Sequence, residues 1–175
     1  MALSAENVNV AVTGKVYIGE TSAAAPTASD STLTGFTELG YVSADGITVN
    51  RERSTNQIRA FQNADLVREV VTEASASYTF ALLESKTEVL EAYFGASMVG
   101  GKIELNPSNT GGRKSFVFDI VDGDDVIRHY VPLGEVTQVD AQTFANGEAI
   151  MYGLTVTAYS SNDRVADVFY GALEV

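Results

Sequence analysis

Cysteine is absent from the 175 residues, and histidine occurs once, at His129. The first absence excludes disulfides and thiolate chemistry; the second excludes most multi-histidine zinc sites and leaves histidine-centred catalysis little to work with. No run approaches the roughly 18 apolar residues of a membrane-spanning helix. Met1 to Val10 lacks a basic region followed by an apolar stretch, so synthesis and residence in a cytoplasm are expected. Bases are also scarce: 11 Lys and Arg stand against 23 Asp and Glu, a formal charge of −12. Residues 1 to 87 carry 10 acids and 6 bases, and residues 88 to 175 carry 13 and 5, so the excess is spread rather than gathered in a tail. Sequence-independent affinity for nucleic acid comes from Lys and Arg neutralising phosphates, so this balance argues against tight binding to it, while passage of nucleic acid is not excluded. Solubility alone would also account for such a balance. The G-x-G-x-x-G, G-x-x-x-x-G-K-[ST], H-E-x-x-H and G-x-S-x-G patterns are all missing, which removes the common phosphate cradles, zinc proteases and nucleophile elbows. No catalytic residue, metal site or cofactor is expected.

What is present centres on Ala74 to Gly95. Ala76, Tyr78, Phe80 and Leu82 alternate with Ser75, Ser77, Thr79 and Ala81, the period of a strand buried on one face. Ser85 to Glu88 then reads as a capping box, and Val89, Leu90, Tyr93 and Phe94 form one helical stripe that Gly95 can terminate. So short a helix is marginal by itself and must pack on a sheet. The length suits one domain, residues 1–175, which at this size buries about 70% of its unfolded surface.

The remaining segments read as strands and turns. Val8, Val10, Val12, Val16 and Ile18 share one parity, giving a long first strand interrupted at Gly14. Glu20 to Gly35 lacks either hydrophobic period and predicts an extended loop, at about 19–36 in all, that is either functional or ordered only by a neighbouring chain. Phe36–Ser43 and Ile47–Arg53 flank Ala44-Asp45-Gly46, a tight-hairpin signal. A second projecting loop or hairpin is predicted at about 50–66, where Ile58 and Phe61 stand isolated among polar residues. Leu66–Thr72 leads into the central strand. Later strands are expected at Lys102–Leu105, at Phe116–Val121 and Val126–Val131 around Asp122-Gly123-Asp124-Asp125, and at Ile150–Ala158 and Val165–Leu173 as a closing hairpin. About ten strands and one helix predict a mainly β protein, an antiparallel sandwich or part-barrel with a flanking helix.

Few residues invite a chemical role. His129 reads as an ordinary strand residue between Arg128 and Tyr130. Asp122, Asp124 and Asp125 open like a calcium loop but lack its further oxygens and distant glutamate, so they read as a solvated turn. Tyr93 and Phe94 read as core. Four of the seven arginines, Arg51, Arg53, Arg59 and Arg68, fall within eighteen residues, either as a solvated strand face or as bidentate partners for carboxylates on another subunit.

Several phrases then fall into a familiar order. Val12-Thr13-Gly14-Lys15-Val16-Tyr17, a small-residue loop, Leu39-Gly40-Tyr41-Val42-Ser43-Ala44-Asp45-Gly46-Ile47-Thr48, Ile58-Arg59-Ala60-Phe61 and Tyr78-Thr79-Phe80-Ala81-Leu82-Leu83-Glu84-Ser85-Lys86 through Leu90–Gly95 resemble the major tail tube proteins of siphovirus-type bacteriophages. The resemblance covers residues 10 to 95 well and the remainder by order of elements.

It implies a β-sandwich with a flanking helix whose copies form hexameric rings. The inner strands close into a barrel, and the rings stack into a tube that passes double-stranded DNA without holding it. It also implies a virion tail assembled in the host cytoplasm, with tape measure, tail terminator and tail-tip proteins as partners. In that frame Arg51, Arg53, Ile58, Arg59 and Phe61 are candidate subunit contacts, and Glu69, Asp119 and Glu148 are candidate acids of the channel wall. Two other readings stay open, the tube of a type VI secretion or related injection system and a monomeric β-sandwich binding module.

Overall fold

The computed structural model describes residues 8–171. Eight strands and one helix follow in the order β1 (Thr13–Gly19), β2 (Phe36–Glu38), β3 (Val42–Arg59), β4 (Leu66–Leu82), α1 (Thr87–Phe94), β5 (Arg113–Asp122), β6 (Asp125–Val139), β7 (Tyr152–Ala158) and β8 (Asp167–Tyr170). All pairings are antiparallel in one sheet ordered β2-β1-β5-β6-β7-β4-β3, with β8 added along β6. Among the described residues no helix is long and apolar enough to cross a membrane.

The connection from β2 to β3 forces the sheet to curl. These strands lie at opposite ends of the sheet, yet only residues 39–41 join them. An extended residue spans at most about 3.6 Å, so the two ends are held close together. Leu39, wholly buried, donates its N–H to the Val16 carbonyl at 2.9 Å. Gly14 lies so near Ile47 that a Cβ there would stand 3.3 Å from its Cδ1. No ladder joins β1 to β3, so the roll is a part-barrel left open along this seam.

β6 carries the bend. Its first half pairs with β5 and β8, and its second half pairs with β7. Between them sits Gly134, where a Cβ would fall 2.8 Å from the Phe116 ring and 2.9 Å from Val156. The close approach excludes any side chain there. Inside the roll Tyr78 of β4 stacks on Phe118 of β5 with centroids 4.5 Å apart. These strands are not neighbours in the sheet, so the stack crosses the interior and ties its two halves together. The alternation of Ala76, Tyr78, Phe80 and Leu82 is realised as predicted, all four being buried. On α1, Val89 is wholly buried, Leu90 packs against the same core, and Tyr93 meets Tyr152 edge-on at 5.5 Å.

Several expectations are corrected. Ala44-Asp45-Gly46 makes no hairpin: β3 runs through it, and its pairing with β4 jumps from Val42–Leu82 to Ile47–Phe80. Gly46, at φ +73°, serves a bulge, which uses the same left-handed freedom as a turn. The capping box does not form, because the Ser85 hydroxyl bonds the Tyr152 hydroxyl at 2.8 Å and the helix begins at Thr87. Gly95 ends it in the left-handed conformation, as predicted. Lys102–Leu105 yields only an isolated bridge between Val99 and Lys102. The first strand starts at Thr13, leaving Val8, Val10 and Val12 exposed. β8 pairs with β6 and not with β7, so the chain does not close on a hairpin. The Asp122–Asp125 turn forms as expected, and among the described residues the strands number eight rather than about ten.

Candidate self-assembly surface

β7 stops pairing with β4 at Ala76. Beyond that point β3 and β4 have only each other, and they leave the roll as a two-stranded ribbon. Ala60 to Asp65 turn its tip, with Asn63 and Ala64 both at φ +55°. An isolated two-stranded ribbon is marginal in water. This one nevertheless exposes Ile58, Phe61, Leu66, Val67, Val70 and Val71, and Phe61 is 102% exposed. A cluster of that kind marks a surface that another body covers.

The register sorts the ribbon into two faces. Arg51 and Arg53 pair opposite Ala76 and Ala74 and continue the face that carries Tyr78 and Phe80. Past the bulge near Thr72 the same face holds Thr55, Gln57 and Arg59. There Glu69 accepts hydrogen bonds from the Thr55 hydroxyl at 2.8 Å and the Gln57 amide at 3.4 Å, while Arg59 donates to the Gln57 carbonyl at 2.7 Å. The structure thus brings Arg51, Arg53 and Arg59 onto one face and sets Arg68, opposite Ile58, on the other. Among the described residues none of the four forms a salt bridge.

The opposite face runs back across the roll as a different surface. It presents Thr48, Asn50, Glu52 and Ser54 from β3, Glu73, Ser75, Ser77 and Thr79 from β4, Thr155 and Thr157 from β7, and Glu135 and Thr137 from β6. Hydroxyls bridge neighbouring strands, Thr79 with Thr155 at 3.2 Å and Thr137 with Thr157 at 2.7 Å. No Lys or Arg occurs among these positions; Arg113 of β5, opposite Glu135, and Arg68 on the ribbon border them. The outer edge of β3 is unpaired.

The three acids expected on a channel wall occupy three different environments. Asp119 is buried inside the subunit, where the Arg128 guanidinium donates to both of its oxygens at 2.7 Å. That carboxylate raises the Arg128 pKa further above its ordinary value. Arg128 also donates to the Ser31 carbonyl at 2.7 Å and the Ala28 carbonyl at 3.3 Å, pinning the loop between β1 and β2 to its own chain. Its middle therefore needs no neighbour to be ordered. Glu69 is exposed but sits on the arginine face of the ribbon. Glu148 is exposed in the connection between β6 and β7 rather than on a strand.

Arg128 is the functional residue that sequence reasoning missed. A signal for it existed: counting back from the Asp122–Asp125 turn puts Asp119 opposite Arg128. His129 lies in β6, with Nδ1 3.2 Å from the Tyr78 hydroxyl. Burial, and then the nearby Arg51, push its pKa below the ordinary histidine value, and burial drives Tyr78 up to about 12. Both are neutral near pH 7 and serve as packing.

A family model described as phage tail tube protein matches residues 1–170. The chain belongs to the phage tail tube protein family. Tail tube proteins are structural subunits, not enzymes. The fold of this tail tube protein is similar to that of chains in three solved assemblies. One is the sheath-tube complex of the extracellular contractile injection system PVC in its extended state, at TM-score 0.54 and 12% identity, covering 98% of this chain and 100% of that one. Another is the tube-terminating cap of the anti-feeding prophage, at TM-score 0.55 and 12% identity, covering 98% and 97%. The third is the anti-feeding prophage baseplate, at TM-score 0.53 and 11% identity, covering all of both chains. No curated protein sequence matches this one.

Proposed function

We propose that this tail tube protein is the repeating subunit of a hollow phage tail, six copies to a ring and ring upon ring, through which double-stranded DNA passes during genome delivery. The observation that carries the reading is the outer face of the roll on β3, β4, β7 and β6, made of hydroxyls, one amide and the carboxylates of Glu52, Glu73 and Glu135, with cations only at its borders, Arg113 on β5 and Arg68 on the ribbon. Duplex DNA carries about one negative charge per 1.7 Å, so a basic wall would hold it and a wall of this kind lets it slide. Turned inward, the face becomes the channel wall, with Glu52, Glu73 and Glu135 as its acids. In the same orientation the unpaired edge of β3 meets the adjacent subunit, and pairing there closes into a barrel an edge that would otherwise invite aggregation.

The ribbon, with Arg51, Arg53 and Arg59 on one face, Ile58 on the other and Phe61 at the tip, supplies contacts between subunits. Tape measure, terminator and tail-tip proteins are the expected partners, and assembly takes place in the host cytoplasm. The resemblance of residues 10 to 95 to siphovirus-type tube proteins supports a non-contractile tail. A second reading, the tube of a contractile injection particle, draws on the fold shared with such systems. A sheath gene beside the coding gene would favour it.

The test is negative-stain electron microscopy of the purified protein over a range of concentrations, with its mass in solution measured in parallel. Stacked rings or tubes with a central channel are expected. Monomers at every concentration, even with tail-tip complexes added, would overturn the proposal. Replacing Arg51, Arg53 and Arg59 together by Glu is expected to block tube growth while leaving the monomer folded, since exposed substitutions usually change stability by no more than about 0.5 kcal/mol.

A further inference from the structure

We propose that Phe61 at the ribbon tip of one copy seats in the uncharged groove beside α1 of a second copy. This rests on the tube-subunit reading above and assigns the receptor that it leaves open.

The knob is defined by exposure. Phe61 is fully exposed, and Ile58, Leu66 and Val67 near it in the ribbon are exposed as well. A fully exposed aromatic ring at the end of a projecting ribbon has no folding role, whereas aromatic residues are the usual anchors of protein interfaces.

The receptor is chosen by comparing the concavities of the surface. Three well-formed ones differ in the charges of their walls. The one between α1 and β1 has Glu20, Glu88, Glu91 and Lys114 in its wall, and the one along the open β1–β3 seam has Lys15, Glu38, Glu84 and Lys86. An apolar ring entering either would desolvate charges without pairing them, at a cost. The third, about 380 Å³, is lined by Tyr93, Phe94, Leu105, Pro107 and Val139 among others and contains no charged residue. Leu105 and Val139 are themselves strongly exposed in the subunit, so this groove also lacks a cover.

Charge agrees with the match. Arg59 and Arg68 flank the tip, which also carries Asp65, whereas Asp140 and Glu104, the latter bridged to Lys102 at 2.9 Å, adjoin Val139 and Leu105 at the groove. The seated ribbon would bring basic side chains to an acidic rim, which favours this orientation over others.

A second copy is the occupant because every subunit carries both halves of the contact. Knob and groove are different surfaces of one chain, so the contact is heterologous and repeats head to tail, generating either a closed ring or an open stack. A tube requires contacts of this type.

The native chain has no cysteine, so an engineered pair can be read without background. Phe61→Cys protein is mixed with size-tagged Leu105→Cys protein at assembly concentration, treated with a short bis-maleimide and run on a denaturing gel. The control replaces the second partner by Asp124→Cys, in the β5–β6 turn. Docking raises the effective concentration of the two thiols into the millimolar range, so the mixed 61–105 adduct is expected roughly tenfold above the 61–124 adduct. Tubes accompanied by equal adduct in both mixtures would overturn the pairing and leave the tube reading standing. Strong 61–105 adduct in oligomers that never become tubes would support the pairing and count against the tube reading. Both sites are exposed, so neither variant threatens the fold. Phe61→Glu is further expected to reduce assembly strongly, and Phe61→Leu to retain most of it.

Discussion

The strands β3 and β4 contain two regions of opposite character on one continuous backbone. From Ile47 to Arg53, paired with Ala74 to Phe80, they form part of the roll: β7 covers the second edge of β4, and Tyr78 and Phe80 reach across to Phe118. From Ser54 to Glu73 the same two strands have no third strand, no layer beneath them and side chains exposed throughout. Backbone pairing is alike in both. The difference lies in what is packed, which shows that hydrogen-bonded ladders set geometry whereas stability comes from the apolar area covered. The inner region holds the subunit together, and the outer region is left uncovered by its own chain.

Predictions can test that division, beginning with the strongest. Phe118→Ala removes the ring that joins the two halves of the roll and is expected to cost about 3–5 kcal/mol, read as a lower midpoint in denaturant unfolding. A small effect would mean that the roll is not held by this stack. Arg128→Met leaves Asp119 buried without its partner, with an expected loss of about 3–5 kcal/mol. The variant should also be cut by protease between Ala23 and Thr34, because the carbonyls of Ala28 and Ser31 lose their donor. Persistent protection of that loop would show that other contacts hold it.

A smaller effect concerns His129. Its folded-state pKa lies below the ordinary value of about 6.5, so the unfolded chain takes up a proton that the folded chain resists. Its contribution is fully present above about pH 6.5 and is lost as pH falls through the lower folded value. The melting temperature of the native protein should therefore drop more steeply on acidification below about pH 6.5 than that of His129→Asn. Parallel curves would remove His129 from the account.

The smallest expected effect is the sharpest test of the comparison. Replacing residues 55–72 by Asn-Gly joins Ser54 to Glu73, which are paired opposite each other, through a two-residue turn. The monomer should lose no more than about 0.5 kcal/mol, while assembly disappears. A large loss of stability would mean that the ribbon belongs to the folding unit after all.

Much of the roll was legible because its signals are local. Alternation in Ala76 to Leu82, the helix ended by Gly95 and the Asp122–Asp125 turn each depend on residues close in sequence. Where a local signal failed, a distant partner had won. Ser85 gave its hydroxyl to Tyr152, 67 residues away, rather than to its own helix. Asp45-Gly46 became a bulge because β3 had β4 to pair with on both sides of it. The ribbon's chemistry could be read as stranded apolar residues and clustered arginines, but the faces could not, since each bulge shifts the pairing by a residue and reverses what lies opposite.

By itself the sequence determined that this protein is mainly antiparallel β with one docked helix and a net negative charge, because period, turn residues and composition act over a few positions at a time. Only the tertiary structure decided which acids are free. Asp119, on the face of β5 turned away from the core residues Phe116 and Phe118 and covered by the loop between β1 and β2, is consumed by Arg128, while Glu52, Glu73 and Glu135, scattered over three strands, come to share one face. The reason is register: which charges meet depends on how strands far apart in the chain align, and no single strand carries that information.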